Sequence, residues 1–166
     1  MKHKIYLLIA IIVILVLACG CGQQKQDGSH KQQSSIYEVL DDQGTEFVFA
    51  EAPKKIITNS LAYQDILMEL VPLDCFAAVS IGSTDADYSL TADKAKLVKQ
   101  KFNQPISVET VLAYKPDVYI TTDASPKELT MSLKEMGVKV FIVNSAHNYS
   151  EVQHSIIKLA ELTGQQ

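Results

Sequence analysis

Residues 118–143 read VYITTDASPKELTMSLKEMGVKVFIV, and this stretch decides the fold class. Val118-Tyr119-Ile120-Thr121 is β-branched and aromatic, the composition of a buried strand. Ser125-Pro126-Lys127-Glu128 is a capping box with proline at the first helical position, and it predicts a helix from Pro126 to Met136. Gly137 closes that helix, and Val138 to Val143 is a second strand. Two strands separated by a whole helix are parallel, because an antiparallel pair needs only a tight turn.

The same alternation continues in both directions. Downstream, Ser150 with Gln153 caps a last helix carrying Val152, Ile156, Leu159 and Ala160 inward, and Gly164 ends it. Upstream, a short helix from Ser107 to Ala113 follows a lysine-rich helix around Thr91 to Phe102, in which Ala95, Val98 and Phe102 share one side. Phe76 to Ile81 is an almost wholly apolar run, as expected of a parallel strand covered on both faces, and 82–89 is loop. Pro53 introduces a strand over 54–58, and Asn59-Ser60 cap a helix from Tyr63 to Leu70 that Pro72 stops. Tyr37 to Leu40 and Glu46 to Phe49, around Asp41-Asp42-Gln43-Gly44, form a hairpin. The fold class is therefore α/β: a mostly parallel, doubly wound sheet with helices on both faces, preceded by a short β-hairpin. Ligands in such sheets sit beyond the carboxyl ends of the strands, which nominates the loops at Asn59-Ser60, Ile81-Gly82-Ser83, Thr122-Asp123-Ala124 and Asn144 to His147.

The 166 residues, net charge −4, suit one domain rather than two. Every basic residue is lysine. Without the arginine fork that base and phosphate recognition favours, nucleic acid is excluded as the expected partner. Lys2 and Lys4 precede an apolar run from Ile5 to Leu17 that is short for a membrane span, so 1–20 reads as a signal peptide. Cys19 follows Ala18 and Cys21 follows Gly20, and both resemble the lipidated cysteine of bacterial lipoproteins, with Cys21 preferred. Residues 21–35 hold no aliphatic or aromatic side chain and form a flexible tether with a reach of about 20 Å. The predicted location is the extracytoplasmic side of the cell membrane, held there by the lipid. Cys75, the cysteine left in the folded part, reads as a buried structural thiol.

Pro53-Lys54-Lys55-Ile56-Ile57 with Asp65-Ile66-Leu67, then Ser107-Val108-Glu109, then Val111-Leu112-Ala113-Tyr114-Lys115-Pro116-Asp117-Val118 carry a family likeness, and Leu159 to Gly164 (LAELTG) continues it. In order and spacing they resemble the substrate-binding lipoproteins of ATP-driven (ABC) importers for iron-siderophores, haem and cobalamin. The resemblance implies two α/β lobes joined by a long helix with the ligand clamped between them. Residues 36–166 match the N-terminal lobe, so the second lobe is expected to be missing through truncation, frameshift or choice of fragment. The implied partners are a metal chelate (iron-siderophore, haem or cobalamin), the ABC permease and, through the lipid anchor, the membrane.

The family docks on its permease through an exposed acid on the ligand-side rim, and Glu109 matches that position; it also suits the N-terminal dipole of its own helix. Asn59, Ser60, Tyr63, Tyr88, Thr122 and Asp123 are the candidate ligand contacts. Asn59 and Ser60 are equally helix caps, Tyr63 core packing, and Thr122 and Asp123 turn formers. Tyr88 has the polar neighbours of an exposed ring able to stack on a flat chelate. No catalytic or metal constellation stands out: His147 and His154 have no acidic partner at helix spacing that completes a recognisable ligand set, and no nucleophile elbow or phosphate loop occurs. The alternative functions are a lipid-anchored protein-interaction module and, below it, a lipid-anchored enzyme.

Overall fold

The computed structural model describes residues 37–165. The predicted signal peptide (1–20), the tether (21–35) and both lipidation candidates, Cys19 and Cys21, lie outside them. β1 (Tyr37–Leu40) and β2 (Glu46–Phe49) form the expected antiparallel hairpin. Its turn is pinned by the Asp41 carboxylate, which accepts from the amides of Gln43 at 2.9 Å and Thr45 at 2.7 Å. Gly44 supplies the left-handed residue of this turn, with φ +77.

β3 (Ile56–Thr58) pairs in parallel with β6 (Val118–Thr122), and β6 in parallel with β7 (Val140–Val143). β4 (Val79–Ser80) and β5 (Lys101–Phe102) form a separate parallel ladder. The Ile56–Phe76 bridge and the 3.0 Å bond from the Ala77 amide to the Ile56 carbonyl join the two ladders. The spatial order is therefore β5-β4-β3-β6-β7, and the winding reverses between β3 and β6. The hairpin closes on β7 through the Asp42 amide, 2.9 Å from the Ile142 carbonyl, and through Phe47 against Phe141.

The helices are α1 (Leu61–Leu70), α2 (Ala92–Leu97), α3 (Val108–Tyr114), α4 (Lys127–Glu135) and α5 (Tyr149–Thr163). Strand side chains alternate between two cores, as the pleat demands. Ile56, Val118, Ile120 and Phe141 face α1, α5 and the hairpin. Ile57, Tyr119 and Val140 face Val111 of α3 and Leu133 of α4.

Four expectations need correction. The Phe76 to Ile81 strand shrinks to Val79–Ser80, because Ile81 turns into a 3₁₀ segment over Ile81–Thr84. The Thr91 to Phe102 helix stops at Leu97: Ala95, Val98 and Phe102 are all buried, but Phe102 reaches the core from strand β5, so a helical spacing was satisfied by two different backbones. The Ser125 capping box does not form. The Ser125 hydroxyl is taken by Asn59 and Thr121, and Pro126 stands at the N-cap without a side-chain bond. The last helix is capped by Asn148, whose Oδ1 accepts from the Glu151 amide at 3.1 Å, and not by Ser150. The buried face is formed by Ser155, Leu159, Leu162 and Thr163, and Val152 and Ile156, expected to point inward, are exposed at 41% and 40%.

Candidate functional site

Each parallel strand ends at one edge of the sheet, and the helix that follows begins there with its amide end. At the reversal between β3 and β6, Asn59 leaves β3 half-buried and spends its side chain entirely on β6 and the loop beyond it. Its Oδ1 accepts from Thr121 Oγ1 at 2.8 Å, its Nδ2 donates to Ser125 Oγ at 3.0 Å, and Thr121 and Ser125 hydroxyls bond to each other. The Asn59 carbonyl accepts from Gln104 Nε2 at 2.9 Å, which brings in the loop after β5. Three loops are thus cross-braced at the crevice where doubly wound sheets hold their ligands.

The remaining candidates occupy distinct places on this edge. Ser60 caps α1, its Oγ accepting from the Tyr63 amide at 3.4 Å. Tyr63 is buried, and its hydroxyl donates to the carbonyls of Asn144 at 2.7 Å and Val143 at 3.2 Å, so it lies beneath the edge instead of facing a ligand. Burial is the main cause that raises the Tyr63 phenol above its ordinary value. Asp123 is exposed and accepts from both the amide and hydroxyl of Ser145 at 2.8 Å, bonds that lower its carboxyl and tie the β6 loop to the β7 loop. Thr122 lies half-buried beside it. Tyr88 is 70% exposed on the loop after β4. Glu109 is exposed in the first turn of α3, its carboxyl lowered by its own backbone amide and the Ser107 hydroxyl. It stands on the opposite face of the sheet from the Tyr88 loop.

Sequence reasoning passed over the residues that hold the edge in shape. Asp65, in the second turn of α1, accepts from Thr91 Oγ1 at 2.6 Å, the Leu90 amide at 3.1 Å, the Thr91 amide at 3.3 Å and the Ser89 hydroxyl. That one carboxylate fixes the loop presenting Tyr88. Gln64 is fully buried, its Oε1 accepting from the Ser80 amide at 3.2 Å. The available signal was an amide and an acid at successive positions of a mostly apolar helix, facing a loop rich in serine and threonine. His154 Nε2 lies 2.7 Å from Asp42 Oδ1, linking α5 to the hairpin. Among the described residues, no three histidine, cysteine or acidic side chains are grouped to hold a metal, and no helix is long and apolar enough to cross a membrane.

No family profile matches the chain. An ABC transporter substrate-binding lipoprotein of Bacillus subtilis, YvrC, is 26% identical over 150 residues, covering 84% of this chain and 44% of the relative. Among solved structures, the iron uptake ABC transporter substrate-binding protein PiuA of Streptococcus pneumoniae superposes with a TM-score of 0.62 at 16% identity, over 80% of this chain and 47% of its own. A possible iron-binding periplasmic solute-binding protein of Staphylococcus epidermidis gives 0.58 at 23% identity, over 69% and 44%. A periplasmic haem-binding protein of Pseudomonas aeruginosa gives 0.56 at 19%, over 68% and 39%. The chain spans less than half the length of each of these proteins. The chain is thus similar in sequence to an ABC transporter substrate-binding lipoprotein and similar in fold to periplasmic binding proteins, over a stretch that fits one lobe of their two-lobed fold.

Proposed function

We propose that this chain is the first lobe of a substrate-binding lipoprotein that captures a metal chelate (iron-siderophore, haem or cobalamin) and delivers it to an ABC permease. The observation that carries the reading is the cross-braced edge, where Asn59, Thr121, Ser125 and Gln104 fix three loops around the reversal of the sheet. Loops braced in advance in this way lower the ordering cost of binding. The YvrC relationship, which covers most of this chain, supports it, as do the iron- and haem-binding proteins that share the fold. On this reading Tyr88, Thr122 and Asp123 touch the ligand, Asn59 and Ser60 shape the floor, and Tyr63 supports it from below. Cys21 or Cys19 carries the lipid, and the tether holds the lobe at the outer face of the membrane.

One lobe leaves one face of a bound chelate in water, so the isolated chain should bind weakly. Isotope-labelled chain titrated with ferrioxamine, haem and cyanocobalamin is expected to show saturable amide shifts confined to the loops at 59–60, 81–90, 122–125 and 144–147. Shifts absent with all three, or scattered over the opposite edge, overturn the reading. Glu109 is the proposed permease contact. Glu109→Lys should abolish chelate-dependent growth while leaving the titration unchanged, and unaltered growth removes that role. A second reading, a protein-interaction module, rests on the exposed Tyr149, Val152, Ile156 and Ile157 of α5. A partner captured through that face with no chelate response would favour it.

A further inference from the structure

The lysines of the lobe are gathered at one edge of its sheet, where acids such as Glu51, Asp74, Asp117 and Glu135 stand too, and the opposite edge is left acidic. Beyond the carboxyl ends lie Asp85 and Asp87, Glu109, Asp123, Glu128 and Glu151, and the same segments contain a single lysine, Lys127. None of these six acids has a lysine within 4.0 Å among the described residues. The lysines collect at the opposite edge, with Lys54 and Lys55 before β3, Lys99 before β5, Lys115 before β6, and Lys134 and Lys139 before β7.

Helix amide ends at the ligand edge do not restore a positive surface. One first-turn amide in each of three helices already has a side-chain acceptor, Ser60 for Tyr63, Ser107 for Thr110 and Asn148 for Glu151. Glu109, Glu128 and Glu151 sit in the first turns of α3, α4 and α5, where they answer the helix dipoles. The carboxyls of Glu109, Asp123 and Glu151 all lie below their ordinary values, lowered chiefly by backbone amides, so these three stay ionised through the neutral range.

We infer that the chelate this edge accepts carries no net negative charge, because the edge offers an anion six carboxylates without a lysine partner against one lysine and one histidine, His147. Haem, with its propionates, and iron complexes of catecholates are disfavoured, whereas cationic or uncharged chelates are admitted. This rests on the binding reading proposed above. The field reaches roughly 8 Å at physiological salt, far enough to act on a ligand resting on these loops.

The test is a matched series on the isotope-labelled chain: ferrioxamine B, whose terminal ammonium makes it cationic, its neutral N-acetyl derivative and its anionic N-succinyl derivative. Metal and chelating groups are the same in all three. Affinity is expected to fall in that order, by about tenfold from cation to anion at low salt, with the spread closing as salt is raised. The double variant Asp87→Lys with Glu128→Lys, both exposed positions, should erase the spread. Equal affinities, or tightest binding of the anion, overturn the charge inference and leave the binding reading intact. No edge shift with any of the three, and none with haem or cyanocobalamin, overturns the binding reading and the inference with it.

Discussion

On one flank of the sheet reversal, β6 and β7 share four paired residues, and Val118 to Thr121 are buried throughout. On the other flank, β4 and β5 share two, and their positions depend on side chains: Gln64 Oε1 on the Ser80 amide, Tyr114 Oη donating to the Lys101 carbonyl at 3.0 Å, and Asp65 holding the loop that follows β4. The first flank is a backbone ladder over a packed apolar layer. The second is a pair of short strands hung from polar bonds. A ladder distributes its stability over many small terms, whereas a hung strand concentrates it in a few carboxylates and amides. The loop with Tyr88, which follows β4, belongs to the second kind.

The largest way to break this contrast is Phe141→Ala. Phe141 is fully buried in β7, its ring 5.3 Å from that of Phe47. The loss is expected at about 3–5 kcal/mol in urea denaturation, and it should lower protection across both cores, because the ladder unfolds as a unit. Asp65→Ala comes next, at about 2 kcal/mol, since it strips a carboxylate from several donors at once. Here hydrogen exchange should rise around 89–97 while β6 and β7 keep their protection. An equal rise in both flanks would remove the distinction between ladder and hung strand.

The same carboxylate gives the second flank a pH dependence with a definite sign. Burial raises the Asp65 carboxyl, but the hydroxyls of Ser89 and Thr91 and the amides of Leu90 and Thr91 outweigh it, and the net effect is a value below the ordinary one. A depressed carboxyl stabilises the folded state above the unfolded value of about 4, and that contribution is lost as pH falls through the lower folded value. Asp65→Asn should flatten this acid limb. A variant as acid-sensitive as the parent would transfer the effect to other groups.

Legibility in the sequence followed the same division. The stretch from Val118 to Val143 could be read because β-branched runs, Gly137 and the helical period all pointed to the ladder that forms, and the hairpin was read for the same reason. The β4–β5 flank could not, since Ala95, Val98 and Phe102 keep a helical spacing while the helix ends at Leu97 and Phe102 falls in a strand. Asn59 was recognised as a residue of the edge by its position after a strand. Its bonds to Thr121 and Ser125 were not recognised, since they join positions 62 and 66 residues apart in the chain. Those same bonds cancelled the capping role that Ser125 shows in isolation.

Asn59→Ala probes the seam between the flanks. Removing its side chain leaves Thr121 and Ser125 to satisfy each other and frees the loops on either side of the reversal. A loss of about 1 kcal/mol is expected, with faster exchange at both 103–107 and 122–126. Faster exchange in only one of these loops would mean that Asn59 braces that side alone.

The smallest effect is the sharpest, because it takes the same defect on the two flanks and expects opposite signs. Tyr119 in β6 and Gln64 in α1 each bury a polar atom without a partner among the described residues, Oη in the first and Nε2 in the second. The Tyr119 phenol is pushed up to about 12, chiefly by burial. Its hydroxyl holds nothing in place, so Tyr119→Phe should leave the ladder intact and raise stability by up to about 1 kcal/mol. Gln64→Leu removes an orphan donor too, but it also removes the acceptor of the Ser80 amide. The lost bond and the stranded amide should cost about 1 kcal/mol, with faster exchange at Ser80. If Gln64→Leu proved as benign as Tyr119→Phe, the β4–β5 flank would be held by packing after all, and polar suspension would no longer explain why its strands are so short.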